Sequence, residues 1–109
     1  MMIDNINALE HAIEQQSYNE KIYYDLLNSF GGPIKNYTDY LTSQPVDCDY
    51  ELTDAEKADF NKCLVLLTMI LREDHFCDGA LVKRVKNGEV RIILERMLFL
   101  LKNNTELDL

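Results

Sequence analysis

Residues 64–101 decide the fold, and they read LVLLTMILREDHFCDGALVKRVKNGEVRIILERMLFLL. The stretch opens with an apolar run, residues 64–71, in which only Thr68 is polar. A polar corner follows at residues 72–79, and two amphipathic segments complete the stretch. A helix that is apolar on all sides is buried on all sides, so the opening run predicts a central helix surrounded by the rest of the chain.

Hydrophobic spacing and end signals predict an all-α fold, a compact single domain over residues 1–109 with five or six helices. The central helix is expected over about residues 54–72, because Thr53-Asp54-Ala55-Glu56 has the pattern of a capping box. The other helices are expected over residues 3–15, from a cap at Ser17 to about 29, and over 33–41, 79–86 and 89–102. A surface loop is expected at residues 45–52 and a frayed tail at 103–109.

The chain is acidic, and its charged residues are unevenly distributed along the sequence. The formal net charge of the 109 residues is −8, whereas residues 72–102 carry 7 basic and 5 acidic side chains. A field of this sign repels polyanions, and nonspecific nucleic-acid affinity depends on Lys and Arg contacts with phosphates. The composition therefore argues against a nucleic-acid partner.

The three cysteines, Cys48, Cys63 and Cys77, lack the paired spacing of a disulfide or zinc framework. Reduced thiols fit a cytoplasmic location, and the N-terminal residues have no signal-peptide pattern. The apolar runs fall short of the roughly 20 residues that cross a membrane, so no membrane partner is expected. No cofactor and no metal site are predicted.

Side chains that could carry chemistry are concentrated at the polar corner. We select a binding cluster that consists of Arg72, Asp74, His75, Asp78 and Arg96, and we assign no catalytic residue. Arg96 belongs to the set if the last helix packs back on the central one.

Catalytic and metal chemistry at the corner are alternatives to a binding or structural role. Cys63, His75, Cys77 and Asp78 are ligand types, but zinc sites usually show closely paired ligands. A thiolate pair of His75 and Cys77 is compatible with their spacing, although the glycine-flanked elbow of hydrolases is missing. General acid–base chemistry by a carboxylate of the corner is equally open.

A helix-turn-helix is a further alternative, since basic residues cluster around the second turn: Lys83, Arg84, Lys86 and Arg91. A recognition helix needs a polar side that faces the groove of DNA. The last predicted helix is mostly apolar between Val90 and Leu101, and this composition argues against the alternative.

The favoured interpretation is that the corner stabilises the fold. Phe76 is expected to fill the core beneath the corner, and Asp78 is expected to cap the next helix. Arg72 is expected to be at least half buried and bonded to a carboxylate or to backbone carbonyls, because an unpaired buried guanidinium is costly.

The corner also carries a family pattern. Residues 72–79 have the order Arg-x-acidic-basic-Phe-x-acidic-Gly, and a second Gly and the Leu-x-Arg-Met of residues 94–97 follow. Residues 64–98 thereby resemble a bacterial family of small all-helical proteins of unknown function. His75 and Met97 stand where the family pattern has Arg and Leu. The resemblance implies that the corner is a common feature of the family, and it implies no activity.

The sequence as a whole favours a small cytoplasmic interaction or accessory module without catalytic activity. The alternative is a small-molecule-binding protein or an enzyme that uses the corner Arg72–Asp78. A protein partner or self-association is expected, with a homodimer through the final helix. The reason is that Ile92 and Phe99 lie off the main apolar stripe of that helix.

Overall fold

The computed structural model describes residues 2–103, with side chains from residue 4 onward. This part of the chain contains no strand, and the predicted all-α fold is confirmed. Its α-helices are α1 Met2–Gln15, α2 Glu20–Asn28, α3 Cys48–Glu51, α4 Phe60–Phe76, α5 Ala80–Lys86 and α6 Glu89–Asn103. Two short 3-10 helices cover Tyr37–Tyr40 and Ala55–Lys57. The predicted tail beyond residue 103 lies outside the described residues. None of the helices from residue 2 to 103 has both the length and the apolar character that a membrane crossing needs.

Helix α4 is the centre of the bundle, as the apolar run predicts. Residues 63–71 are all buried, and the side chains of Leu67 and Ile70 are 0% exposed. Helices α2, α3, α5 and α6 pack around α4, and α1 packs on α6. Thr68, the polar residue of the run, donates its hydroxyl to Leu64 O at 2.8 Å and accepts the N–H of Ile34 at 3.2 Å.

The start of α4 lies six residues after the predicted position. Its cap is Asp59, whose carboxylate accepts the N–H of Lys62 at 2.7 Å. Thr53 does not cap a helix, because its hydroxyl donates to Tyr50 O at 2.7 Å. The 3-10 helix that follows directs Ala55 into the core before the chain turns into α4. The predicted capping box is therefore wrong.

The segment between α2 and α4 also differs from the prediction. Residues 33–41 form only a 3-10 helix, because Asn, Thr and Asp disfavour a longer helix. The predicted surface loop contains α3, whose cap Asp47 accepts the N–H of Tyr50 at 3.1 Å. Helix α2 is capped by Asn19, and Ser17 instead accepts the N–H of that cap residue.

The central position of α4 predicts a large cost for shortening Leu67. Leu67→Ala should lower the free energy of unfolding by about 2–5 kcal/mol, because it removes buried contacts and leaves a cavity. The exposed Val46→Ala is the control and should change it by less than about 0.5 kcal/mol. Urea unfolding measures both, and equal small effects would contradict the central position of α4.

Candidate functional site

The polar corner is the last part of α4, which extends to Phe76 instead of ending at Arg72. Because Arg72, His75 and Phe76 are spaced by three and four residues, they share one side of the helix, and that side faces solvent. Phe76 is 86% exposed, so the prediction that it fills the core is wrong. Within residues 4–103, the side chain of Arg72 has no carboxylate or carbonyl bonded to it, and the predicted pairing is not found.

The opposite side of this helix end holds the next helix. Asp74 is half-buried, and its carboxylate accepts the N–H of Leu81 at 3.0 Å, which caps α5. The sequence predicts Asp78 in that role, but Asp78 is exposed. Gly79 precedes α5 with a φ of 91°, a left-handed conformation that Gly adopts without strain, and the chain reverses there.

A contact between α2 and α4 adds Tyr24 to the corner. The Tyr24 hydroxyl lies 3.3 Å from His75 Nε2. Burial raises the pKa of Tyr24, the negative charges of Glu20 and Asp74 raise it further, and Arg72 opposes them. The corner therefore brings Arg72, Asp74 and His75 around one tyrosine.

Arg96 lies apart from the other four residues of the predicted cluster. Its Nε donates to Ala58 O at 2.7 Å, just before the start of α4. Arg72 lies about 18 Å further along the axis of α4, counted from Phe60 at 1.5 Å per residue. The last helix does pack on the central one, but it brings Arg96 to the opposite end.

The residue that has the environment predicted for Arg72 is Arg84. Its Nε and Nη2 donate to the two carboxylate oxygens of Glu73 at 3.0 and 2.8 Å. Its Nη1 donates to Asp49 at 2.6 Å and to Glu89 at 2.9 Å. These four residues, the Arg84 cluster, come from α3, α4, α5 and α6 and use four of the five N–H groups of one guanidinium.

The sequence contains a signal for Arg84 that composition alone does not reveal. Arg84 follows Ala80 by four residues and Leu81 by three, and both of these are buried. Those spacings place all three residues on the inner side of α5, so that Arg84 is only 3% exposed. Its basic neighbours in sequence suggest a DNA-facing cluster instead, and for Arg84 that interpretation is wrong.

The electrostatics of the Arg84 cluster favour a structural role over ligand binding. Hydrogen bonds that Arg84 donates to Glu73, Glu89 and Asp49 raise its pKa in spite of its burial. The hydrogen bond and charge of Arg84 lower the pKa of Asp49. Three carboxylates surround one guanidinium, so the cluster has excess negative charge and offers no free cation to an anionic ligand.

The cluster borders an open groove of about 750 Å³, lined by residues 42–50 with Glu73 and Arg84. Glu51, which is buried, holds this segment in place. Its carboxylate accepts the N–H groups of Ser43 at 2.7 Å and Thr42 at 3.0 Å, and Lys62 Nζ lies 3.5 Å away. The groove is therefore bounded by a segment that hydrogen bonds to the buried Glu51 keep close to the bundle.

The thiols of the groove and the core are poorly suited to nucleophilic chemistry. Burial, followed by the charge of Glu73, raises the pKa of Cys48 to about 11. Burial raises the pKa of Cys63 to about 12. Since the thiolate is the reactive form, both side chains are weak nucleophiles at neutral pH. Within the described residues, no three His, Cys, Asp or Glu side chains are grouped to hold a metal ion.

A different surface lies on the outer side of α6. Ile92 and Phe99 are 41% and 54% exposed there. Glu56, Glu95 and Arg96 join them around a shallow depression of about 290 Å³. The Arg96 guanidinium lies 5.5 Å from the centre of the Phe99 ring, a cation–π distance. We call these five residues the α6 patch.

A comparison with protein families matches residues 33–103 to DUF6508, a family of unknown function. The chain belongs to this family. The matched segment contains the polar corner, the Arg84 cluster and the α6 patch, whereas α1 and α2 precede it. No curated protein and no solved structure matches the chain.

The Arg84 cluster predicts that two arginines differ sharply in their effect on stability. Arg84→Met should lower the free energy of unfolding by about 2–4 kcal/mol, because three carboxylates lose a common partner. Arg84→Lys should also lower it, since Lys lacks the planar fork. The exposed Arg72→Met is the control, with an expected change below about 0.5 kcal/mol. Thermal or urea unfolding separates them, and a greater loss in the Arg72 variant would contradict the assignment.

The environment of the Glu51 carboxylate predicts that the stability of the fold depends on pH. Burial alone would raise its pKa, but hydrogen bonds from Ser43 and Thr42 and the nearby Lys62 outweigh burial and hold the pKa below the ordinary 4.5. Its folded pKa is therefore lower than its unfolded one. The corresponding stability is fully present above about pH 4.5 and is lost as the pH falls through the folded pKa.

Glu51→Gln should therefore cost about 1–3 kcal/mol at pH 7. The difference in the free energy of unfolding between this variant and the unchanged protein should shrink when urea unfolding is repeated below about pH 4.5. Glu14→Gln, at an exposed position of α1, is the matched control and should stay within about 0.5 kcal/mol. A difference that widens on acidification would contradict the role of Glu51.

Proposed function

We propose that this chain is a small cytoplasmic protein-interaction module without catalytic activity, and that it binds its partner through the α6 patch. The observation that carries the proposal is the exposure of Ile92 and Phe99 on the outer side of a helix whose inner side is buried. Aromatic residues and arginine are enriched at protein interfaces, and Arg96 and Phe99 lie together in this patch.

The chemistry of the remaining side chains supports a binding role over a catalytic one. Among the described residues, every buried polar side-chain atom has a hydrogen-bond partner. The buried Arg84 donates four of its five N–H groups to carboxylates of its own chain. Catalytic groups usually have pKa values shifted toward reactivity, whereas the thiols of Cys48 and Cys63 are shifted away from it.

Site-specific photo-cross-linking in the cells that produce the protein tests this proposal. Benzoylphenylalanine at position 99 should give a discrete adduct with a partner, and Ile92→Glu should abolish that adduct by placing a charge in the patch. Position 18 is the matched control, since Tyr18 is 53% exposed, nearly as much as Phe99. An adduct that survives Ile92→Glu, or equal adducts at both positions, would contradict binding through the α6 patch.

The polar corner is a second candidate, favoured by the contact between Tyr24 and His75 that gathers polar side chains from two helices. In that case the corner would bind a small molecule. A compound that raises the melting temperature of the unchanged protein, but not that of Arg72→Met, would move the assignment from α6 to the corner.

A further inference from the structure

We infer that the partner of the α6 patch is a second copy of this chain, bound with the two α6 helices antiparallel around a twofold axis between Glu95 and Arg96. This inference rests on the proposed function, because it names the occupant of the same surface. It is drawn from the order of side chains along α6.

The order of residues along α6 is self-complementary. Consider an antiparallel pair of α6 helices with its centre between positions 95 and 96. Each residue then faces the residue of the second copy that lies at the same distance from the centre on the other side. Ile92 then faces Phe99 of the second copy, and Glu95 faces Arg96 of the second copy. Because a twofold contact repeats every pair, one arrangement gives two apolar contacts and two ion pairs.

These residues are also on the correct side of the helix. Ile92, Glu95, Arg96 and Phe99 are separated by three, one and three residues, which keeps them within one stripe. All four border the same depression. The stripe is therefore long enough for a helix of a second copy to lie along it.

The charge of the patch favours self-association, although the chain as a whole opposes it. Two copies with a net charge of −8 repel each other. At the patch, Glu56 and Glu95 are balanced by Arg96 and by Arg91, which pairs with Glu95 at 3.2 Å. That pair is about half exposed, and such pairs are weak enough to exchange partners.

The size of the surface sets the strength of the dimer. Helix α6 has 15 residues and is about 22 Å long. One helix pair of this length buries less than the roughly 800 Å² per partner of a standard stable interface. The dimer should therefore be weak and should appear only as the protein concentration rises.

Complementary charge reversal tests the arrangement. Glu95→Arg places Arg opposite Arg96 of the second copy, and Arg96→Glu places Glu opposite Glu95. Sedimentation velocity at about 10–200 μM should show the unchanged chain forming dimers, with affinity weakened about tenfold or more in each variant. An equimolar mixture of the two variants should associate again. In the mixed dimer, positions 95 and 96 are both basic in one chain and both acidic in the other, so every facing pair has opposite charges.

Two controls keep the result independent of folding. Arg96→Glu also removes the bond to Ala58 O, so melting temperatures of both variants are measured, and recovery in the mixture cannot come from an unfolded chain. Asp78→Arg, a charge reversal at an exposed position of the polar corner, should leave the dimer unchanged. If the mixture fails to associate while the unchanged chain forms dimers, the register is wrong.

Disulfide trapping gives a second readout of the register, in chains with Cys48 and Cys77 replaced by Ser. A mixture of Ile92→Cys and Phe99→Cys should form the mixed disulfide. Neither variant should bridge to itself, because the like positions are about 10 Å apart along the axis. Bridging of each variant only to itself would show a parallel pair and would overturn the inference.

The failure of this inference is distinguishable from the failure of the proposed function. If the chain stays monomeric at every concentration while position 99 cross-links to a different protein, the second copy is excluded and the α6 patch remains the binding surface. If dimers form and Glu95→Arg does not weaken them, the contact lies elsewhere and the antiparallel α6 pair is overturned.

Discussion

A guanidinium placed inside a protein must find acceptors for its N–H groups, and Arg84 finds them on three helices besides its own. Glu73 holds it from the end of α4, Glu89 from the start of α6, and Asp49 from α3. Each of these helices also packs in the bundle through apolar contacts, which have no direction. The ion pairs fix distances and angles, and so they determine where the ends of four helices meet. Because three carboxylates of the chain already surround Arg84, the neighbouring groove offers no free cation to an anion.

The core is largely predictable from the sequence because its signal is continuous. An apolar run in which only Thr68 is polar leaves few alternatives to a buried helix, and residues 63–71 are buried accordingly. The ends of that helix are not predictable in the same way. Thr53-Asp54-Ala55-Glu56 and Asp59 are both acceptable beginnings, and the choice depends on Ala55 packing into a core that the local sequence does not describe.

The candidate site is predictable only in part. Asp74, His75 and Arg72 do lie around one end of α4, but Phe76 and Arg72 turn outward because the helix continues for another turn. Whether an arginine is buried depends on the side of the helix it occupies and on carboxylates that are distant in sequence. Asp49 lies 35 residues from Arg84, and no local pattern connects them. The exposed pair Ile92 and Phe99 is visible from the sequence, because two residues seven apart on one helix share a side.

Thr68 has a consequence for the orientation of α4. A helix that is apolar all round can rotate about its own axis with little change in buried area, so hydrophobic burial alone leaves its angular setting nearly degenerate. The Thr68 hydroxyl removes that degeneracy, because it accepts the N–H of Ile34 from a segment outside the helix, while its own proton is donated to Leu64 O within the helix. Within the buried residues 63–71, one polar side chain thus selects the side of the helix that faces Ile34. Through it, the directions in which Glu73 and Asp74 leave the same helix are set as well.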